Sequence, residues 1–181
     1  FGFLTGAANT TGNQNVFLGE RAGELNTSGS DNLYAGVRAG SQANGDSNVF
    51  LGRRAGEYAT VSNNVIIGFQ AGWYATADNN TLIGYEAGKA ANGNELTGSY
   101  NTFVGHQTGL VNTSGAYNTF LGYQSGLSNT TGAYNTFVGQ GAGINNSTGQ
   151  ANTILGEDAG DNNTTGGRNV FIGLNAADNN T

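Results

Sequence analysis

The sequence predicts an all-β chain, a β-solenoid of eleven coils, and three observations support this. One five-residue motif recurs along the whole chain, 32 of the 181 residues are glycine, and polar turn sequences follow the motif at regular distances. Glycine at this frequency, without the collagen triplet, indicates either disorder or a repeat that needs turns at fixed intervals. Disorder is disfavoured because 36% of the residues are apolar and the nine phenylalanines are regularly placed.

The repeated motif, called the pentad below, is Asn-x-apolar-apolar-Gly. Five pentads follow one another at a constant interval and begin at Asn101, Asn118, Asn135, Asn152 and Asn169. Five earlier pentads begin at Asn15, Asn32, Asn48, Asn64 and Asn80. The step from Asn15 to Asn32 has the same length as the steps of the later group, and the three steps that follow it are one residue shorter. The step between the two groups, from Asn80 to Asn101, is longer, and Phe1-Gly2 forms the end of an eleventh pentad. A period of 16–17 residues is too short for a helical hairpin repeat of about 33 residues, and it predicts a coil of two short strands joined by two tight turns.

The parts of one coil follow from residue chemistry. The pentad is the stronger strand because β-branched and aromatic residues fill it. Pairs such as Ala22-Gly23 predict a corner where backbones approach closely. Sequences such as Asn129-Thr-Thr-Gly are turn chemistry. Coils stacked ~4.8 Å apart would pair each strand with its neighbours and give a rod of roughly 50 Å, with the pentad asparagines forming a structural ladder.

Two adjacent pentad positions are apolar in almost every coil. Since consecutive strand residues point to opposite faces, one position can line the interior while the other needs a different cover. An exposed stripe along the rod forfeits about 1.5 kcal/mol or more per side chain, so we predict a homo-oligomer packed along it. The alternative is a flattened monomer whose own segments cover both faces. The predicted interface column is Leu18, Leu51, Ile67, Ile83, Val104, Leu121, Val138, Leu155 and Ile172.

The pattern Asn-Thr-Phe-x-Gly-x-x-Ala-Gly, followed by Asn-Thr-Thr-Gly and Tyr-Asn-Thr-Phe, resembles the head repeats of trimeric autotransporter adhesins. It is still more similar to related repeats in bacterial and phage tail-fibre proteins. The resemblance extends from Phe1 to about Ala177. It implies a left-handed β-roll, a homotrimer, and attachment to a host-surface glycan or matrix protein. It also implies an extracellular location, on a bacterial cell surface or as a virion or tail fibre.

These repeats are longer than adhesin head repeats, and we expect residues 1–181 to be a single solenoid domain cut from a longer fibre protein. The insertion at about 91–99 is expected to form a loop, because insertions in repeat proteins map to one face, often the binding face. We expect the anchor and stalk to lie outside this segment.

No enzymatic chemistry is predicted. The single histidine, His106, occupies a variable outward position, there is no cysteine, and no second base accompanies the serines and threonines of the turns. We therefore expect neither a catalytic site nor a cofactor nor a metal. The net charge of −6 argues against a nucleic-acid partner. The sequence contains no run of ~20 apolar residues, so membrane insertion is not predicted.

Two surface features are candidate sites. An aromatic cluster at one corner is the predicted ligand-binding patch, although its rings would equally well pack on one another or at an oligomer seam; it comprises Tyr58, Phe69, Trp73, Tyr74 and Tyr85. A weaker candidate for an anionic ligand is an arginine column, for which pairing with Glu20, Glu24 and Glu57 is the favoured interpretation; it comprises Arg21, Arg38 and Arg54. Three tyrosines that precede successive pentads are expected to stack as a structural ladder; they are Tyr100, Tyr117 and Tyr134.

The functional hypothesis is a rigid extracellular fibre or adhesin segment. Its side-chain ladders would bind a surface, with avidity supplied by several identical chains. Two alternatives remain open: a self-assembling extracellular filament subunit and an ice-binding solenoid. The ice-binding alternative rests on a threonine column, which gives way to valine in the other coils; its members are Thr81, Thr102, Thr119, Thr136 and Thr153.

Overall fold

The computed structural model describes residues 1–90 and 93–177, which form a β-solenoid with one parallel ten-stranded sheet. Each coil contributes one three-residue strand, and neighbouring strands in the chain are neighbours in the sheet. The strands are β1 Val16–Leu18, β2 Leu33–Ala35, β3 Val49–Leu51, β4 Val65–Ile67, β5 Thr81–Ile83, β6 Thr102–Val104, β7 Thr119–Leu121, β8 Thr136–Val138, β9 Thr153–Leu155 and β10 Val170–Ile172. The described residues contain no helix, and hence none that is long and apolar enough to cross a bilayer.

The all-β solenoid is confirmed, but the expected count of eleven coils is not. Ten strands define about nine turns. Phe1 stacks on the first coil, since its carbonyl accepts the Gly19 N–H at 2.9 Å, yet the first strand begins only at Val16.

The prediction of two strands per coil is wrong, because the chain after the pentad folds into overlapping turns. In the first coil Ala22 N–H donates to Gly19 O at 3.2 Å, and Glu24 N–H donates to Arg21 O at 3.3 Å. Arg21 and Gly23 have φ of 57° and 58°, so positive φ recurs at alternate residues and excludes an extended strand. This turn wall still bonds coil to coil, as in Gly23 N–H to Ala39 O at 3.0 Å.

The interior is filled by a column of side chains at the third pentad position, the ring column. Phe103, Phe120 and Phe137 are fully buried and stack in parallel, with centroids 4.9 and 4.7 Å apart. The turn wall approaches these rings so closely that a Cβ on Gly126 would lie 2.5 Å from Phe120 Cε2. The Ala-Gly pairs are therefore small because the rings occupy the space between the two walls.

The pentad asparagines form the expected ladder, here called the first asparagine ladder. The Oδ1 of Asn118 accepts the backbone N–H of Asn135 at 3.0 Å, and its Nδ2 donates to Gly132 O at 2.8 Å. The same contacts recur along the sheet, and most of these side chains are buried. Each asparagine thus binds backbone of the next coil, which makes the ladder depend on the register of neighbouring coils.

The insertion predicted at about 91–99 lies partly outside the described residues, because residues 91 and 92 are not described. The described part is not simply a protruding loop. Leu96 is fully buried and forms a parallel bridge with Ala75, and its N–H donates to Tyr74 O at 3.0 Å. The longer coil therefore returns an apolar side chain to the interior.

Candidate functional site

The outer face of the sheet carries two columns of side chains, at the second and fourth pentad positions. The fourth-position column is the predicted interface; three of its members are exposed, and the others are partly buried. Leu18 is 53% exposed, Leu121 47% and Ile172 68%. We call both columns together the apolar stripe. No described segment of the chain covers it, so the alternative of a monomer that covers both faces itself does not hold within residues 1–90 and 93–177.

The apolar stripe is continuous because every strand pairs with the next in direct register, as in Leu51 with Ile67. Its composition changes along the rod. The first four strands carry Val or Leu at the second position, whereas β5 to β9 carry threonine there. The fourth position remains aliphatic from end to end. A continuous apolar column on the sheet is a surface that an identical or complementary rod can contact along its length.

The predicted aromatic patch is not one cluster of rings in mutual contact. Tyr58 stacks on Tyr74 with centroids 4.8 Å apart, and Trp73 lies 5.0 Å from Tyr74 and 6.0 Å from Tyr58. These three rings form the corner stack. Phe69 and Tyr85 contact each other instead, at 5.4 Å, in a separate column. The five predicted residues thus form two stacks at different positions of the coil, and ligand binding by them stays a prediction.

Trp73 is held by its own chain. Its Nε1–H donates to Glu57 Oε2 at 2.9 Å, and Glu57 is buried. The charged groups of Arg54 and Lys89 lie 5.7 and 5.3 Å from the indole ring. These contacts favour the interpretation that the corner stack orders the coil edge, since cations already lie against the tryptophan.

Phe69 and Tyr85 belong to a longer column that we call the side ladder. Tyr85, His106 and Tyr123 stack with centroid distances of 4.8 and 5.3 Å, and Arg53 lies 5.7 Å from the Phe69 ring. Sequence analysis missed the place of His106 and Tyr123 here and treated His106 as an isolated surface residue. The signal was present, because all these residues directly follow the pentad glycine or its equivalent in successive coils.

The arginine column pairs with glutamates, as the favoured interpretation expected. Arg38 and Arg54 each lie 3.5 Å from an oxygen of the buried Glu57. Arg21 lies 3.9 Å from Glu24. The geometry gives these cations internal partners and leaves the weak anionic-ligand prediction without support of its own.

A further polar network continues the arginine column in later coils. Glu86 accepts from Lys89 at 2.7 Å and from Gln107 at 2.9 Å. Gln124 donates in turn to Gln107 at 3.0 Å. Burial raises the pKa of the Glu86 carboxyl, but these hydrogen bonds outweigh it and hold the pKa below its usual value. The Glu86–Lys89 ion pair therefore stabilises the fold fully above the unfolded-state pKa of Glu86. This stabilisation is lost as the pH falls through the lower folded-state pKa of Glu86.

The tyrosine ladder is confirmed. Tyr100, Tyr117 and Tyr134 stack with both centroid distances at 5.0 Å and interplanar angles of 8° and 2°. All three rings are at least half exposed. They occupy positive φ of 58–61°, which turns each side chain onto the outside of the coil just before the pentad.

No family model, curated protein or solved structure matches this chain. Within residues 1–90 and 93–177, no group of three or more histidine, aspartate or glutamate side chains is placed to hold a metal ion.

Proposed function

We propose that this chain is a rigid segment of an extracellular fibre, an adhesin or tail-fibre rod that assembles as a homotrimer along its apolar stripe. The observation that carries the proposal is the stripe itself. It runs over all ten strands of the sheet and is not covered by the described chain. The trimer, rather than a dimer, is the state implied by the resemblance to trimeric adhesin heads.

The energetics favour association. Complete burial of an aliphatic side chain is worth roughly 1.5–3 kcal/mol, so covering an exposed stripe residue such as Leu121 contributes about 1 kcal/mol, and covering the less exposed members contributes less. Summed over ten strands, this contribution falls within the estimated range of about 4–15 kcal/mol for the cost of association. A rod with ladders on its remaining surfaces then presents each ligand contact three times, which raises avidity.

Rigidity supports the same role. Each coil is fixed to the next by strand bonds, by the first asparagine ladder and by the turn wall. The interior is filled by buried side chains that include the stacked rings of Phe103, Phe120 and Phe137. Such a chain resists bending and keeps exposed residues such as Tyr85 and Tyr123 at fixed spacing for contact with a host-surface glycan or matrix protein.

Sedimentation equilibrium tests the assembly with a matched pair of variants. Leu121→Lys places a charge in the middle of the stripe, and Leu25→Lys places one on the turn wall at similar exposure, 47% against 51%. We expect the native chain and Leu25→Lys to be trimers, and Leu121→Lys to dissociate while keeping its β circular dichroism. A native chain that remains monomeric at tens of micromolar would overturn the homotrimer.

The adhesive role is tested separately on an array of host glycans and matrix proteins. We expect native trimer to bind, Tyr85→Ala to bind less, and a stripe variant such as Leu121→Lys to lose avidity. Equal binding by native chain and by Tyr85→Ala would remove the side ladder from the candidate site.

A further inference from the structure

The column that holds the tyrosine ladder continues beyond Tyr134 without a ring. Residues of this column precede the pentad asparagine in each coil, and the next two are Ala151 and Arg168. Both have positive φ, 58° and 61°, like Tyr134 at 60°. The backbone therefore presents them in the same direction, and the series changes from ring to methyl group to cation over two coils.

The ring spacing in the tyrosine ladder shows how much space a missing ring leaves at position 151. Tyr117 lies between Tyr100 and Tyr134, at 5.0 Å from each, so two coils enclose the thickness of one aromatic ring. Ala151 supplies no ring, and the face of Tyr134 toward it is not covered by another ring of the described chain. The same two-coil interval separates Tyr134 from Arg168.

An open groove of about 580 Å³ lies at this point of the surface. Its lining combines one aromatic face, one cation and a polar rim of Thr148, Gln150, Thr165 and Gly167, in addition to Tyr134, Ala151 and Arg168. The backbone below is fixed, since Ala151 N–H donates to Ala133 O at 3.0 Å and Arg168 N–H to Gln150 O at 2.8 Å.

The charge of Arg168 is available in this groove. Arg168 takes part in none of the salt bridges of the described residues, whereas Arg21, Arg38 and Arg54 are paired with glutamates. A guanidinium is planar, stacks on aromatic faces and binds carboxylates through two parallel N–H groups. It is thus suited both to cover a ring and to hold an anionic substituent.

We propose that this groove binds a planar aromatic ring that carries a carboxylate. The ring takes the position that a tyrosine at 151 would occupy, with one face on Tyr134 and the other toward Arg168. The carboxylate pairs with the Arg168 guanidinium, and the threonine hydroxyls and Gln150 line the rim. A puckered sugar ring is thicker than the interval that Tyr117 fills and fits less well. The site lies within one chain, so it depends neither on the trimer nor on the adhesive role.

The probe is 4-hydroxyphenylacetate, which combines the tyrosine ring with a carboxylate, titrated by NMR against the whole chain. Ala151→Tyr fills the groove with the chain's own ring and is expected to abolish binding. Its backbone already has the φ of three tyrosines in preceding coils, so its melting temperature should not fall. Tyr100→Ala is the matched control, because it removes a ring of the same ladder away from the groove and should leave affinity unchanged.

Two further variants separate the contributions. Tyr134→Ala removes the stacking face and should weaken binding about tenfold. Arg168→Gln removes the charge and should weaken binding about three- to fivefold, and it should erase the preference of the native chain for the carboxylate over the neutral 4-hydroxyphenylacetamide.

Unchanged affinity in Ala151→Tyr would overturn the site. Equal affinity of the native chain for glucuronate would overturn the aromatic assignment, since that probe has the carboxylate without a flat ring. Should Ala151→Tyr fail to fold, the Arg168→Gln comparison of the two phenyl probes decides: a native preference for the carboxylate that persists in this variant contradicts the proposal.

Discussion

Apart from the coil with the insertion, between Asn80 and Asn101, the rod contains long coils and short coils, which differ in length by a single residue and in the side chain at one buried position. In the longer coils the residue before the polar turn is asparagine; these residues are Asn26, Asn112, Asn129, Asn146 and Asn163. In the shorter coils it is alanine; these residues are Ala43, Ala59 and Ala75. All eight side chains are buried. The turn of a long coil has one more residue than that of a short coil. It also encloses a larger side chain, an asparagine amide in place of the alanine methyl group.

The asparagines of the long coils form a second asparagine ladder. Asn129 Nδ2 donates to Asn112 Oδ1 at 2.7 Å and to Gly132 O at 3.0 Å, while its Oδ1 accepts from Asn146 at 2.9 Å. The turn carbonyl of Gly132 thus receives two donors, the other being Asn118 of the first ladder at 2.8 Å. In a short coil the turn carbonyl of Val61 receives Asn48 alone, at 2.7 Å. The first ladder therefore serves every coil, and the second serves only long ones.

The pentad glycine is common to both kinds of coil, and its substitution is expected to have the largest effect. Gly52 in the short region has φ 128°, and a Cβ there would lie 2.7 Å from Gly68 O. Gly122 in the long region has φ 136° and would meet the Gly139 carbonyl in the same way. We expect Gly52→Ala and Gly122→Ala each to cost at least about 3 kcal/mol of unfolding free energy, measured by urea denaturation.

Ser30→Ala is a control for these glycine variants, because it changes a partly exposed turn residue without crowding the backbone. A small cost at Gly122 with a large cost at Gly52 would show that long coils relax where short coils do not. That result would break the equivalence of the two regions at the pentad.

The second ladder predicts the next largest effect, with a different physical cause in each region. Asn129→Ala leaves Asn112 Oδ1 and Asn146 Nδ2 without this partner in a buried site, and we expect a loss of about 2–3 kcal/mol. Ala59→Asn places an amide in a fully buried short-coil position that has no ladder, at a similar cost. Melting curves of both variants measure the effect.

A double-mutant cycle on the neighbouring residues Asn112 and Asn129 supplies the control. Asn112→Ala combined with Asn129→Ala should cost less than the two single variants added together, because they share one hydrogen bond. Additive costs would mean that each asparagine acts only on its own turn.

The period, the strand face and the first ladder were predictable because each depends on local chemistry repeated at fixed spacing. The pentad places Phe120 inside and Leu121 outside by strand alternation alone. The second strand was predicted wrongly because the pattern shows where glycine lies and not that the preceding variable residue, such as Arg21, also takes positive φ. That conformation is set by the approach of the turn wall to the ring column.

The candidate sites were harder to predict because they depend on which residues share a column. Tyr58 and Phe69 are both close to corners in sequence, yet they enter different stacks, with Tyr74 and Tyr85 respectively. Aligning the coils position by position separates them, whereas proximity along the chain does not. The stacked tyrosines were predicted correctly because they keep one position before three consecutive pentads.

The boundary between a long and a short coil predicts the smallest effect and tests the comparison most closely. Where long coils stack, the N–H groups of Thr113, Ser114 and Gly115 share the backbone carbonyl of Thr130, at 2.9–3.3 Å. At the boundary the N–H groups of the equivalent turn, residues 27–29, turn instead to the side-chain Oδ1 of Asn44, at 2.8–3.3 Å.

Asn44 thus replaces a backbone acceptor that the shorter coil does not bring into place. Because the turn is solvent-exposed and water can take over the freed donors, Asn44→Ala should cost only about 1 kcal/mol, and Asn44→Asp, which keeps the acceptor oxygen, should restore most of it. Hydrogen exchange of the Thr27 and Ser28 amides should accelerate in Asn44→Ala and not in Asn44→Asp. Unchanged exchange in both would mean that the long turn keeps its shape without the short coil's side chain, and that the two coil lengths are joined by the sheet and the first ladder alone.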